Sequence, residues 1–182
     1  MKKNISLPLT QEKVKDLHAG DQVLLSGIIY TGRDAAHKRL VEAVKNDDVP
    51  FELKDAVIYY VGPAPSKPGA AIGSCGPTTS YRMDDLTLPL LENGLTGMIG
   101  KGQRNQTVIN GMKKHGAVYF AAIGGAGALI ASSVVSSEVI AYDDLGTEAV
   151  RRLQVKDFPC VVVIDSYGVN MYDEERKKYE RV

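Results

Sequence analysis

The sequence predicts an α/β fold in a single domain over residues 1–182, on three observations. Short runs of β-branched and aliphatic residues alternate with segments of helical composition along the whole chain. The 182 residues, 44% of them hydrophobic, are enough for one core. No internal repeat or low-complexity linker breaks the alternation, and the densest breakers fall in one stretch, VGPAPSKPGAAIGSCGPTTS from Val61 to Ser80, with four prolines and four glycines. That stretch reads as a long loop of the kind that builds active sites, or as a crossing between layers.

Before the loop, the pattern gives an extended start over Ile5–Leu9, a small helix over Gln11–Leu17, a strand over Gln22–Tyr30 and a helix opening at Gly32 and running to about Lys45. Ala56–Val61 reads as a buried strand. After the loop, Thr78–Ser80 offers hydroxyl caps for a helix to about Leu91, with Asn93–Gly94 as its stop. A strand near Leu95–Ile99, a helix near Arg104–Lys114, a strand over Ala117–Ile123 and a Gly/Ala-rich helix over Gly125–Ser133 follow. The remainder reads as strand Glu138–Tyr142, short helix Thr147–Leu153, strand Cys160–Asp165 and a charged, solvated tail.

Lysine plus arginine and aspartate plus glutamate number 22 each, so the formal net charge is zero and the basic footprint of a nucleic-acid binder is missing. Attraction for an anion has to come from a few cations gathered at one place. No apolar run approaches a signal sequence or a membrane span, which predicts a cytoplasmic protein with no membrane partner. Cys75 and Cys160 stand far apart with no CxxC and no Cys/His cluster, so neither a disulfide framework nor a metal site on this chain is expected.

Three segments place cations among glycines at expected strand ends, where α/β folds meet their ligands: YTGRDAAH, GPTTSYRMD and IGKGQ. In the first, Arg33 and His37 are four apart and would share one helix face. The plainer reading pairs Arg33 with Asp34, or Asp34 with Lys38, and lets His37 merely cap or pack. In the second, Thr78 and Arg82 are four apart beside a helix start, where unpaired N–H groups and a guanidinium fork suit a carboxylate. Here the alternative is a simple cap, with Arg82 bound to Asp84 or Asp85. In the third, Gly100 and Gly102 flank Lys101; the phosphate-loop template fails, because Leu95 stands where its first glycine belongs and Gly102 where its Ser or Thr belongs. The run AVYFAAIGGAGAL mimics a dinucleotide-binding turn, but that spacing puts Ile130 at the third glycine, which favours close packing of small residues.

Taken together, GRDAAH, GPTTSYRMD, GKG and the late VIDSYGVNMY resemble the β subunit, or C-terminal domain, of class I fumarases and L(+)-tartrate dehydratases over essentially the whole chain. The resemblance implies a swivelling β/β/α domain and a hydro-lyase active only with a larger α subunit, with two copies of each. It implies that the α subunit carries a 4Fe-4S cluster and that the substrate is a small dicarboxylate. It assigns Arg33, Arg82 and Lys101 to the substrate carboxylates, with His37 beside them, and makes Thr78, with Lys101, the catalytic candidate. The residues agree with such chemistry: hydrating a four-carbon diacid requires holding two carboxylates and stabilising the charge that builds as a C–H proton leaves. Two cysteines cannot ligate a cluster that uses three or four thiolates. Fumarate hydration to L-malate is the expected activity and tartrate dehydration the close alternative; a nucleotide- or phosphate-binding module on the Lys101 and Gly125 loops is the rival from another class.

Overall fold

A computed structural model describes residues 2–122 and 127–174. Seven strands form one mixed sheet: β1 (Lys2–Ser6), β2 (Gln22–Thr31), β3 (Val57–Tyr59), β4 (Gly97–Gly100), β5 (Val118–Ala122), β6 (Val134–Ala141) and β7 (Val150–Ile164). The helices are α1 (Gln11–Lys15), α2 (Asp34–Lys45), α3 (Asp84–Glu92), α4 (Gln106–His115) and α5 (Gly127–Ser132), with 3₁₀ turns at Ser80–Met83 and Asp143–Glu148. The α/β class is thus observed. The Gly/Ala turn that mimics a dinucleotide loop falls largely on residues 123–126, outside the described residues.

Strands β1 to β5 run parallel in sequence order. The long β7 then runs antiparallel to both β5 and β2, so β2, β3, β4, β5 and β7 close into a small barrel, with β6 hydrogen-bonded to β7 outside the ring. Alternation along each strand divides the core in two. Val57, Tyr59 and Val61 pack with Phe120, Leu153 and Phe158 in one cluster. Ile58, Tyr60, Met98 and Tyr119 pack in the other against Leu40, Leu90, Leu91, Val108 and Met112 of α2, α3 and α4. At about 25 cal/mol per Å² of apolar surface, each fully buried side chain of this size contributes roughly 1.5–3 kcal/mol before entropy is charged against it.

Two expectations are corrected. Thr147–Leu153 is not a helix: a 3₁₀ turn ends at Glu148 and β7 begins at Val150, already paired on both sides, with Arg152 opposite Tyr30 of β2 and Glu138 of β6. Pairing with these neighbours outweighs local helical composition. The hydroxyls at Thr78–Ser80 do not cap a helix through Leu91 either. That stretch opens with a 3₁₀ turn whose N-cap, Thr79, makes no side-chain cap bond, and α3 starts only at Asp84. The stop at Asn93–Gly94 is observed, with Gly94 at φ 96° supplying the left-handed residue.

Candidate functional site

The C-terminal ends of the parallel strands β2, β3 and β4 lie side by side, and the three cationic segments of the sequence follow or flank those ends. The chain leaves β2 at Thr31, turns through Gly32 and presents Arg33 in extended conformation as the N-cap of α2. The Arg33 guanidinium lies 3.3 Å from the Glu148 carboxylate and 3.9 Å from that of Asp34. On its other oxygen Asp34 accepts a 2.9 Å hydrogen bond from Arg82 Nε. One carboxylate therefore sits between two guanidiniums that are far apart in sequence.

Thr78 and Lys101 are joined through the main chain. The Thr78 N–H donates to the Tyr60 carbonyl at 2.6 Å, the Lys101 N–H donates to the Thr78 carbonyl at 3.3 Å, and the Ser80 N–H donates to the Lys101 carbonyl at 2.9 Å. Gly100 permits this close approach, because a β-carbon there would collide with Ser80 Oγ, and Gly102 takes φ 79° to complete the turn. The Tyr119 hydroxyl donates to the Gly102 carbonyl and receives Ser80 Oγ, both at 2.8 Å. Burial pushes the Tyr119 hydroxyl pKa up, so its proton stays in that bond. The Lys101 side chain is exposed and has no carboxylate partner among the described residues. Among the described residues Arg82 bonds Asp34 through Nε alone, which leaves both of its terminal nitrogens for a fork.

His37 stands behind this arrangement. It was expected beside Arg33 as a substrate contact, but Arg33 precedes the helix, and the His37 ring meets its carbonyl instead, Nδ1 to O at 2.9 Å. The ring is fully buried, with its edge toward Tyr60 at 5.1 Å between centroids. Burial, with the nearby Arg104 charge, depresses its pKa from 6.5 to about 4 against the opposing pull of the Arg33 carbonyl. His37 is therefore neutral and donates from Nδ1 to the Arg33 carbonyl.

Sequence reading missed Glu148 and Arg104, and saw Asp34 only as a partner of Arg33 or Lys38. Glu148 holds Arg33 and, through its second oxygen, accepts from the Ala35 N–H at the start of α2. Asp34 links the two arginines. Arg104 is buried and donates from Nε to Asp84 at 2.6 Å, from Nη1 to the Tyr60 hydroxyl and from Nη2 to Thr87, while its guanidinium carbon lies 5.3 Å from the Tyr60 and Tyr119 ring centres. Asp84 also accepts from the Asn105 N–H. The network ties the first turn of α3 to the turn that carries Lys101. The GQRNQ stretch gave one signal, an arginine two residues past a glycine turn, but its partner could not be read from it.

Buried polar atoms without a hydrogen-bond partner concentrate here. Arg33 Nε, Asp34 Oδ2 and His37 Nε2 are three of the six among the described residues. Such groups cost about 1–3 kcal/mol each when left unpaired; here Arg33 Nε and Asp34 Oδ2 face one another at 3.9 Å, an ion pair without a hydrogen bond. Metal ligation by this chain does not fit: among the described residues no group of three His, Cys, Asp or Glu side chains could hold an ion. Cys75 and Cys160 are both buried, and burial raises the Cys75 thiol to about 11 and that of Cys160 as well, opposite to what a thiolate ligand needs. No helix among the described residues is long and apolar enough to cross a membrane.

A small barrel with cations at one end of its parallel strands defines a class, and the comparison with known families agrees. The chain belongs to the family described as Fumarase C-terminus, whose model matches residues 1–175. Among its relatives, the protein named Putative L(+)-tartrate dehydratase subunit beta of Methanocaldococcus jannaschii is 40% identical over 182 residues, covering 96% of this chain and 93% of the relative. Fumarate hydratase class I, aerobic, of Escherichia coli strain K12 is 41% identical over 153 residues, 82% of this chain. Fumarate hydratase 2 of Leishmania major is 36% identical over 167 residues, 90% of this chain. The chain spans 28% and 29% of the length of these two fumarate hydratases, and nearly all of the tartrate dehydratase subunit.

Proposed function

We propose that this chain is the β subunit of a hydro-lyase that interconverts fumarate and L-malate. In this reading it supplies the carboxylate-binding half of a site completed by a larger α subunit. One observation carries the reading: Arg33 and Arg82 meet on Asp34 while Lys101, main-chain bonded to Thr78, stands uncompensated at the same strand ends. Arg82 and Arg33 fork the two carboxylates of a diacid, and Lys101 stabilises the negative charge that builds as the C–H proton leaves. Thr78 takes part in proton transfer only when activated, because a free hydroxyl is too weak an acid to act as an alkoxide at neutral pH; Lys101, Arg82 or a partner carboxylate supplies that activation.

The division of labour follows from what the chain lacks the ligands to do. A 4Fe-4S cluster belongs on the α subunit, since the two buried thiols here do not suit it. Two copies of each chain, and a swivel of this domain onto its partner that closes the site, complete the reading, in a cytoplasmic enzyme.

L(+)-tartrate dehydration is the second reading. It is favoured by one observation: the relative that matches this chain almost end to end bears that name. Both substrates share two carboxylates and differ by hydroxyl groups. Turnover of fumarate, L-malate and L(+)-tartrate by the complex reconstituted with its α subunit separates the two, and activity towards none of them would sink both. In that complex Lys101→Ala and Arg82→Ala are each expected to lose about 2–4 kcal/mol of transition-state stabilisation, read as kcat/KM. Near-normal turnover in both would leave the chain as a lid. Tight nucleotide binding by calorimetry, with no response to dicarboxylates, would revive the phosphate-module alternative.

A further inference from the structure

A further cation, beyond Arg33, Arg82 and Lys101, stands over the same end of the barrel, beside a cavity that the proposed chemistry does not use. Arg151 is the second residue of β7, and the strand's alternation aligns it with Leu153 and Val155, which point into the barrel core. Because β7 runs antiparallel to β2, this start of the strand lies at the C-terminal end of β2. The buried Thr31 hydroxyl locks the two together, accepting from the Arg151 N–H at 2.9 Å and donating to the Ala149 carbonyl at 3.2 Å. Arg151 thus faces the barrel mouth, on the side where Arg33 leaves β2.

Between the loop that follows β3 and the 3₁₀ turn before β7 lies a cavity of about 300 Å³. Its walls include Pro63, Pro65, Ile72, Asp143, Thr147 and Arg151. The cavity adjoins the candidate site, since a β-carbon at Gly62 would lie 2.8 Å from Arg33 Nη1 and 3.4 Å from the Thr147 carbonyl. Arg151 lines the cavity, its Nε is shielded and has no hydrogen-bond partner, and neither Asp143 nor any other carboxylate among the described residues pairs with its guanidinium. Burying a guanidinium nitrogen unpaired is costly, and the remedy that restores both charge and hydrogen bonding is an anionic acceptor. Proline and isoleucine walls suit a ligand with a carbon skeleton, and the volume suits a small one.

We propose that this cavity binds one carboxylate of a small organic acid through Arg151, as a capture position that passes the acid to Arg33. Binding in the cavity stands by itself; the part it plays in turnover rests on the hydro-lyase reading. Titrating the isotope-labelled full chain with succinate and following its amide resonances tests the first part. Residues 71–73 and 146–151 should shift in the wild type. Arg151→Gln should weaken that response about tenfold, while the response around residues 78–82 and 101–102 persists. Arg151→Lys, which keeps the charge, should retain most of it. No response around 146–151 at millimolar succinate, an unchanged response in Arg151→Gln, or equal binding of inorganic phosphate in the cavity would each overturn the proposal. Resonances elsewhere that match the wild type show that the variant is folded. In the assembled complex Arg151→Gln should raise KM several-fold and leave kcat in place; a fall in kcat at unchanged KM would refute the capture role. Should the complex turn over no diacid at all, the hydro-lyase reading fails, and the succinate titration still decides whether the cavity is a carboxylate site.

Discussion

The two ends of the barrel are built from similar residues and finished differently. At the end where β2 begins, the buried Asp165 carboxylate accepts from three main-chain N–H groups, those of Ala19, Tyr167 and Val169, at 3.0–3.1 Å. Nearby, Asp21 takes Lys3 and the His18 N–H. At the end where β2 finishes, Arg33 Nε, Asp34 Oδ2, His37 Nε2 and Arg151 Nε are buried without a hydrogen-bond partner, four of the six such atoms among the described residues, against one, His115 Nε2, before the start of β5. Satisfied polar groups hold a fold together, whereas unmatched ones mark where it is prepared to meet something else. The first end is a clasp, and the second is the one proposed to bind.

The largest test of that contrast is at the clasp. Asp165→Ala strands three N–H donors and should lower unfolding free energy by about 2–3 kcal/mol in denaturant titration. In the complex proposed above, at a temperature well below the transition, kcat should not change; a large fall in kcat would mean that the ends are not independent.

His37 sharpens the contrast from the proposed binding side. Its native pKa of about 4 lies below the unfolded value of 6.5, so between those values the unfolded chain binds the extra proton. Stability associated with this group is therefore complete above pH 6.5 and declines as pH falls toward 4, by a total on the order of 3 kcal/mol. His37→Gln keeps an N–H donor near the Arg33 carbonyl and removes the titration, so its stability profile should be flatter across that window than the wild type's. Parallel profiles would show that the ring is not buried neutral.

The smallest effect separates a working cap from an idle one. Asn105 Oδ1 accepts from the Val108 N–H at 2.9 Å at the start of α4, and Asn105→Ala should cost about 1 kcal/mol. Thr79 makes no such bond, and Thr79→Ala should change stability by less than about 0.5 kcal/mol in the same thermal melts. Equal losses would put a cap back at Thr79.

How far the letters reached follows from the same physics. Period and breakers revealed β2, α2 and α4 to within a few residues, because those elements express local preferences. They also placed Arg33, Arg82, Thr78 and Lys101 at strand ends. Thr147–Leu153 misled because the three-residue spacing of Val150 and Leu153 matches one helix face, whereas in β7 the two enter different core clusters from opposite faces of the strand. The alternative that paired Arg82 with Asp84 or Asp85 is not met, since Arg82 bonds Asp34 while Asp84 is taken by Arg104. Glu148 was invisible for a similar reason: its meaning lies in reaching Arg33 and the Ala35 N–H across more than a hundred residues of chain.

The join between β2 and β7 has a consequence for change over time. The ring it completes has no loose seam through which a disturbance at the mouth could unzip the staves. Insertions and substitutions in the stretch after β3, or in the turn before β7, can therefore retune what the proposed site welcomes without renegotiating the scaffold beneath. One inherited frame could in this way serve a succession of chemically similar guests.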